Sequence, residues 1–319
     1  MTRPRSADVE ALVTARDDST PGVVLLELAA RDGSALLPPF SAGSHVDVLL
    51  PSGLVRQYSL AGDPEGGRWR LAVLREEGGR GSGWIAGAVQ EGAVLRLAGP
   101  RNHFDFDPPP GAPVLLLAAG IGITPIAPMA RVAADRGLDY ALSYSGRSRS
   151  AMALLDELEA AHGARLEPHV SDEGGRLDLG SRLAAAAPGT VVYACGPARF
   201  LDAAAVAAEA AGLELRVERF EAAELTAPLW PGPFEVELAS SMITVEVPPE
   251  RSILEVVEEQ GVLVLSSCTE GTCGTCETPV LEGEVDHRDA ILTPAERARN
   301  DVMFICVSRA ACPRLVLEL

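Results

Sequence analysis

Ser267-Cys268-Thr269-Glu270-Gly271-Thr272-Cys273-Gly274-Thr275-Cys276-Glu277 packs three cysteines into nine residues near the C-terminus, and a fourth, Cys306, follows after 29 intervening residues. This C-x4-C-x2-C…C spacing is the one in which four thiolates hold a plant-type [2Fe-2S] cluster. Zinc sites pair their ligands in short knuckles set well apart, and disulfide frameworks belong to short chains in oxidising compartments. Gly271 and Gly274 suit a cluster, because a loop wrapped round an inorganic core must turn tightly and bring backbone N–H groups close to sulfur. Cys312 competes for the fourth position. It lies six residues further on, before Pro313, whereas Cys306 sits in Met303-Phe304-Ile305-Cys306-Val307, which reads as a short buried strand. Spacing favours Cys306. Such a cluster passes single electrons, so the chain is expected to move them.

Upstream, three stretches differ in pattern. Residues 1–105 hold short apolar runs, among them Gly22–Leu28, Ser44–Leu50 and Trp69–Leu74, separated by Gly, Pro and Asp turns. That spacing predicts a small antiparallel β-barrel. Residues 106–224 open on Asp107-Pro108-Pro109-Pro110-Gly111 and then alternate: strand Val114–Ala119, helix Ile126–Arg136, strand Asp139–Ser145, helix Ala151–His162, strand Val191–Ala194 and helix Phe200–Ala211. This is the signature of a doubly wound α/β domain. Residues 225–233, rich in proline, read as a linker. Residues 234–319 predict two strands, Phe234–Leu238 and Met242–Val247, a short helix over Ser252–Gln260, the cysteine loop, and closing strands near Phe304–Val307 and Leu315–Leu319. A small mixed sheet crossed by one helix suits a ferredoxin-type α+β domain. With 319 residues, 47% of them hydrophobic, the chain can build three such cores.

The formal net charge is −18, and every one of the 27 basic residues is arginine. Nucleic-acid binding is disfavoured, because phosphate contacts need a basic face. Residues 225–319 alone carry six arginines against sixteen acidic residues. This excess reads either as a solvated surface or as an acidic docking face for a basic partner. No run approaches 18 uninterrupted apolar residues and the N-terminus lacks the apolar segment of a signal peptide, so no membrane span and a cytoplasmic location are expected.

Two further motif groups carry chemistry. Arg56-Gln57-Tyr58-Ser59-Leu60 ends a strand, and Gly78-Gly79-Arg80-Gly81-Ser82-Gly83-Trp84 runs from a Gly-rich loop into a short helix. A flavin needs a ring to stack on, a donor near its reactive nitrogen and a cation for its phosphate, and these residues offer all three. Taken singly, the first reads better as strand packing and the second as a hairpin loop. Ala119-Gly120-Ile121-Gly122-Ile123-Thr124-Pro125 lies between a buried strand and a helix, where two glycines let a dinucleotide pyrophosphate approach the backbone. Pro125 stands in place of the third glycine of the usual fingerprint and fits a first helical turn. Cys195-Gly196-Pro197 ends another strand at the carboxyl edge of the sheet, where ligands bind. A lone buried cysteine there is otherwise a core residue.

In this order, Arg56-x-Tyr58-Ser59-Leu60, Gly120–Pro125, Cys195-Gly196-Pro197 and the four-cysteine pattern resemble the ferredoxin-NADP⁺ reductase superfamily, and within it the phthalate dioxygenase reductase and vanillate O-demethylase reductase family. Tyr144–Ser150 and Cys306-Val307-Ser308-Arg309-Ala310 also look like family segments, and the resemblance covers nearly the whole chain. It implies an NADH-dependent reductase that passes electrons from NADH through FMN and a [2Fe-2S] cluster to a terminal oxygenase. It implies FMN rather than FAD, because the Gly-rich loop closes on a terminal phosphate. The family's Gly-Arg-Gly-Gly-Ser run is here Gly79-Arg80-Gly81-Ser82-Gly83, with the last two residues exchanged, which puts the serine's reach in question.

By the same resemblance, Tyr58 stacks on the flavin, Ser59 bonds near its N5, Leu60 and Val73 line it, and Arg56, Arg80, Gly81 and Ser82 hold its phosphate. Gly120, Gly122, Thr124 and Pro125 hold the NADH pyrophosphate, and Cys195, Gly196 and Pro197 border the nicotinamide. Arg147 leaves room for a 2′-phosphate and so for NADPH, and Phe220 matches an aromatic near the flavin. Cys268, Cys273, Cys276 and Cys306 ligate the cluster. The acceptor is a Rieske oxygenase or a cytochrome P450, and the reductase itself is expected as a monomer. A redox sensor without a dedicated acceptor, and a four-cysteine zinc module fused to a flavin reductase, are the competing readings.

Overall fold

The computed structural model describes residues 9–31, 36–222 and 226–319. The expected domain boundary at residue 224 and the N-terminal eight residues lie outside them. The chain divides into two compact units, Met1–Glu218 and Arg219–Leu319.

In the first unit, strands β1 (Val9–Asp17), β2 (Val23–Ala30), β3 (His45–Leu49), β4 (Val55–Ser59) and β5 (Trp69–Leu74), helix α1 (Arg80–Ala88) and strand β6 (Val94–Arg101) build an antiparallel sheet in the order β4-β3-β6-β1-β2-β5. A bridge between Leu60 and Leu71, with the Ala61 N–H donating to the Arg70 carbonyl at 2.9 Å, joins the two edge strands and closes the barrel. Period-two alternation sends Leu26, Leu28, Val46, Val48, Leu71, Val73, Leu95 and Leu97 inward, all buried, and α1 plugs the core with Ile85.

The same unit continues with β7 (Val114–Ala119), α2 (Ile123–Asp135), β8 (Tyr140–Gly146), α3 (Leu155–His162), β9 (Leu166–Val170), α4 (Leu179–Ala184), β10 (Val191–Cys195), α5 (Ala198–Ala211) and β11 (Glu214–Glu218). The strands form a parallel sheet ordered β11-β10-β7-β8-β9. Every residue of β7 is buried, as a central strand covered on both faces must be.

Helix α2 starts three residues before the expected Ile126, because Pro125 is tolerated in a first turn whose N–H groups lack intrahelical partners. Helix α3 starts at Leu155 rather than Ala151, since Leu154 takes a left-handed φ of 62°. Strands β9 and β11 and helix α4 are additions to the expected set: β9 and β11 are sheet edges with few apolar residues, and α4 spans six residues. Val23, Ala42, Ala61 and Ala72 of the barrel join the α/β core, and Arg70–Glu157 and Arg131–Asp63 ion pairs, at 2.6 and 2.8 Å, flank this contact. Such exposed pairs orient more than they stabilise.

The second unit holds β12 (Phe234–Leu238), β13 (Ile243–Val247), α6 (Ile253–Glu259), β14 (Glu277–Glu282), β15 (Val285–Asp286), α7 (Pro294–Arg299), β16 (Val302–Phe304), β17 (Arg309–Ala310) and β18 (Arg314–Leu317). The main sheet runs β13-β12-β18-β14-β16, with β12 and β18 parallel, and β15 pairs with β17. Ser252 caps α6 in a reciprocal box: its Oγ accepts from the Glu255 N–H at 3.2 Å, and the Glu255 carboxylate accepts from the Ser252 N–H at 2.9 Å. Ile253, Leu254, Val256 and Val257 then bury one face of the helix against the sheet. The strand expected through Val307 stops at Phe304. The N–H groups of Val307 and Ser308 donate back to the Phe304 carbonyl at 3.2 and 3.0 Å, so Cys306 sits in a turn. No helix among the described residues is long and apolar enough to cross a membrane.

Candidate functional site

Arg56 and Tyr58 share one face of β4, and the N-terminus of α1 lies against them. A Cβ on Gly81 would fall 2.6 Å from Arg56 Cγ and 3.3 Å from the Tyr58 hydroxyl, so only glycine allows this approach. Gly79 precedes α1 with no side-chain cap, leaving the first-turn N–H groups and the positive end of the helix dipole beside two arginines, Arg56 and the exposed Arg80. This donor set fits a phosphate. Ser82 is buried, and its Oγ accepts from the Glu76 N–H at 3.3 Å, tying the loop to its own helix. Burial pushes the Tyr58 phenol up to about 12, only partly offset by Arg56, so it stays neutral. Leu60 and Val73 are fully buried in the barrel core.

At the carboxyl edge of the parallel sheet, Gly120 takes a φ of +55° at the end of β7 and Gly122 abuts the neighbouring strand. A Cβ on Gly122 would lie 2.3 Å from the Cys195 carbonyl oxygen and 2.6 Å from the Gly196 nitrogen. The two motifs, 73 residues apart in sequence, are therefore packed backbone to backbone. Thr124 is buried in the first turn of α2 and donates to the Ile121 carbonyl at 3.0 Å, so its hydroxyl braces the loop. Pro125 is buried in that turn, and Pro197 caps α5. Arg147 follows β8, exposed, while the nearby Arg149 is held by Glu159 at 2.8 Å and Glu173 at 3.5 Å. Phe220, two residues into the second unit, is 42% exposed.

The barrel and the sheet meet at a residue that sequence reading missed. Glu218, last in β11, is in register with Cys195 on β10, and its carboxyl hydrogen-bonds the buried Ser59 of β4. Its Oε2 is shielded from solvent and has no partner. Burial raises this carboxyl to about 8 despite the Ser59 bond, and burial together with Glu218 raises the fully buried Cys195 thiol well above its ordinary value. At neutral pH the group is thus largely a neutral acid that can donate. Its signal in the sequence is slight: a glutamate closing a strand at the ligand-binding edge of a parallel sheet.

Because the folded value exceeds the ordinary 4.5, the folded form keeps a proton that the unfolded chain loses. This group's contribution to stability therefore declines as pH rises between 4.5 and about 8. Glu218→Gln in flavin-free protein is expected to flatten that decline. Urea unfolding on either side of the window checks this, and an unchanged pH dependence in the variant refutes it.

In the second unit, four sulfurs touch in the chain Cys273–Cys268–Cys306–Cys276. Sulfur also accepts from the backbone: Glu270 and Thr272 N–H groups donate to Cys268 Sγ at 3.3 and 3.5 Å, and the Cys268 N–H to Cys273 Sγ at 3.5 Å. Gly271 (φ +72°) lets the loop lie flat, because a Cβ there would sit 2.6 Å from Val307 Cγ2 and 3.1 Å from Asp289 Cα. Asp289 shapes the supporting turn by accepting from the Ile291 and Leu292 N–H groups at 3.0 and 2.8 Å, and the Ala290 N–H donates to the Gly271 carbonyl at 2.9 Å. Cys312 is elsewhere, with its Sγ bonded to the Glu284 N–H and the Arg314 carbonyl at 3.2 and 3.0 Å. No three ligating groups among the described residues are arranged round a single ion. Four sulfurs in contact, wrapped by N–H donors, fit a cluster.

Comparison with known proteins agrees. Residues 236–311 match the family described as 2Fe-2S iron-sulfur cluster binding domain. The reductase subunit of the toluene-4-sulfonate monooxygenase system of Comamonas testosteroni is 44% identical over 321 residues, spanning 98% of this chain and 100% of the relative. Phthalate dioxygenase reductase, described as a modular structure for electron transfer from pyridine nucleotides to [2Fe-2S], superposes with a TM-score of 0.68 at 34% identity over 98% of both chains. An intact type IV self-sufficient cytochrome P450 monooxygenase superposes at TM-score 0.88 and 41% identity, covering 98% of this chain and 41% of that one.

Proposed function

The chain belongs to the phthalate dioxygenase reductase and vanillate O-demethylase reductase family, and on that premise we propose that it carries electrons from NADH through FMN and a [2Fe-2S] cluster to a terminal oxygenase. The observation that carries this reading is the meeting of Ser59, Cys195 and Glu218, which brings the phosphate-type loop of the barrel and the dinucleotide-type loop of the sheet to one point. Arg56, Arg80, Gly81 and the free N–H groups of α1 hold the flavin phosphate, with Ser82 fastening the loop. Tyr58 supplies the stacking ring. Gly120, Gly122 and the N-terminus of α2 hold the nucleotide pyrophosphate, with Thr124 bracing the turn, and Cys195, Gly196 and Pro197 border the nicotinamide. Positioning is the main catalytic contribution. When bound, the flavin would supply the conversion of one hydride's electron pair into two single electrons for the cluster to relay. Ser59 and Glu218 hold a proton beside the transfer point. Arg147 sits after β8, where an adenosine ribose would lie, and NADH is the assigned donor.

A Rieske-type oxygenase is the proposed acceptor, approached through the acidic second unit. The high similarity to part of a self-sufficient P450 supports a P450 as the alternative. The thiolate cluster implies a reducing compartment, the cytoplasm. Purified protein is expected to be brown, with absorbance beyond the flavin bands. Heat-released cofactor should chromatograph as FMN, with iron and acid-labile sulfide in equal amounts. Release of FAD overturns the flavin assignment, and zinc in place of iron overturns the cluster.

A further inference from the structure

We propose that Leu263 and Leu265 form the apolar centre of the surface on which a separate, cationic redox protein docks to collect electrons from the cluster. The inference rests on the reading of the second unit as an electron donor. In Gly261-Val262-Leu263-Val264-Leu265-Ser266 the side chains alternate: Val262 and Val264 pack on the core of the unit, while Leu263 and Leu265 are 89% and 75% exposed. Two leucines facing water two residues apart stand out in residues 226–319, which carry sixteen acidic residues against six arginines. Leu265 stands three residues before Cys268, so the patch adjoins the cysteine loop in sequence. Electron transfer favours contact close to the loop that encloses the redox centre.

Charge selects the occupant. Glu258, bonded to the Ser266 hydroxyl at 3.4 Å, and the exposed Glu270 flank the leucines along the chain. All six arginines of residues 226–319 are already engaged, five with carboxylates and the buried Arg309 with the Arg251 and Pro248 carbonyls. The acidic excess is therefore not neutralised from within. The chain cannot supply the complement either, because residues 1–218 hold 20 arginines against 27 acidic residues. A second copy of the chain is thus a poor match. A partner with a basic rim around an apolar, redox-active centre matches, and the charges would steer its approach.

Cytochrome c, a basic haem protein, is the probe. In the full chain with both cofactors, Leu263→Gln combined with Leu265→Gln is expected to lower kcat/KM for cytochrome c at low ionic strength about tenfold, the loss typical of an interface centre. Ferricyanide reduction and stopped-flow cluster reduction by NADH should stay at wild-type values, showing an intact fold and intact internal transfer. Glu270→Gln should weaken the salt dependence of cytochrome c reduction. Unchanged cytochrome c kinetics in the leucine variant overturn the proposal, as does loss of cluster reduction within the variant, which would assign the patch to internal transfer. Wild-type protein whose cluster NADH cannot reduce overturns the donor reading itself, and the patch with it.

Discussion

Cys306→Ser is expected to abolish NADH-driven reduction of cytochrome c while NADH-driven reduction of ferricyanide persists. Cys306 occupies the middle of the sulfur chain, in contact with both Cys268 and Cys276, so its loss removes the thiolate that closes the ligand set. The hydroxyl of serine is a weak ligand for iron, and an incompletely held cluster is lost or loses its characteristic spectrum. The first unit, with its own cores and its own two loops, does not depend on that sulfur, so hydride acceptance from NADH continues. Cys276 and Cys306 are also part of the apolar core of the second unit, so the variant should unfold more readily there, as expected where ligand binding and folding are coupled. Cys312→Ser is the control. Its sulfur is engaged with Glu284 and Arg314, and its loss should leave the visible and paramagnetic signatures of the reduced cluster unaltered. Loss of coupled activity in Cys312→Ser with retention in Cys306→Ser would refute the ligand assignment.

Gly122→Ala is expected to have the second large effect, raising KM for NADH and lowering kcat/KM while the flavin stays bound. The added methyl would come within 2.3 Å of the Cys195 carbonyl oxygen and 2.4 Å of its carbon. These are main-chain atoms of β10, a strand hydrogen-bonded on both sides, so they cannot yield as a flexible side chain would. Relief comes only by pushing the Gly120–Ile123 loop out of the crevice, which displaces the N–H groups proposed to hold the pyrophosphate. Overpacking of this kind costs about 1–3 kcal/mol in stability. The matched control is Gly83→Ala on α1, where a Cβ meets nothing within 4 Å. There the better helix former should add roughly 0.5–1 kcal/mol and leave turnover unchanged. Steady-state kinetics with thermal unfolding of both variants checks the pair, and wild-type KM for NADH in Gly122→Ala would refute the account.

Local patterns in the chain carry a great deal about this protein. The cysteine spacing determined that it holds a cluster rather than zinc knuckles, because ligand count and reach are properties of the loop itself. The wholly apolar Val114–Ala119 and the short apolar runs between turns in residues 1–105 pointed to the sheet types that the fold shows. Helix starts were less legible: α2 takes Pro125 into its first turn and begins three residues early, and the left-handed torsion of Leu154 delays α3 by four.

What only the tertiary structure decided concerns groups whose partners are far away in sequence. Ser82 and Thr124, expected beside phosphates, also brace their own loops, a matter of where a short hydroxyl finds its nearest backbone group. Spacing already favoured Cys306 over Cys312, but that Cys306 sits in a turn after β16 rather than in the expected strand was decided by the fold. Glu218 gains its raised pKa and its place beside Ser59 and Cys195 only when an edge strand of the parallel sheet closes against the barrel. Cysteine spacing thus pointed to the cluster, and the family resemblance of the upstream motifs implied the flavin and the nicotinamide. Desolvation and long-range contact, which exist only in the folded chain, decided which side chains touch one another and which carry a proton at neutral pH.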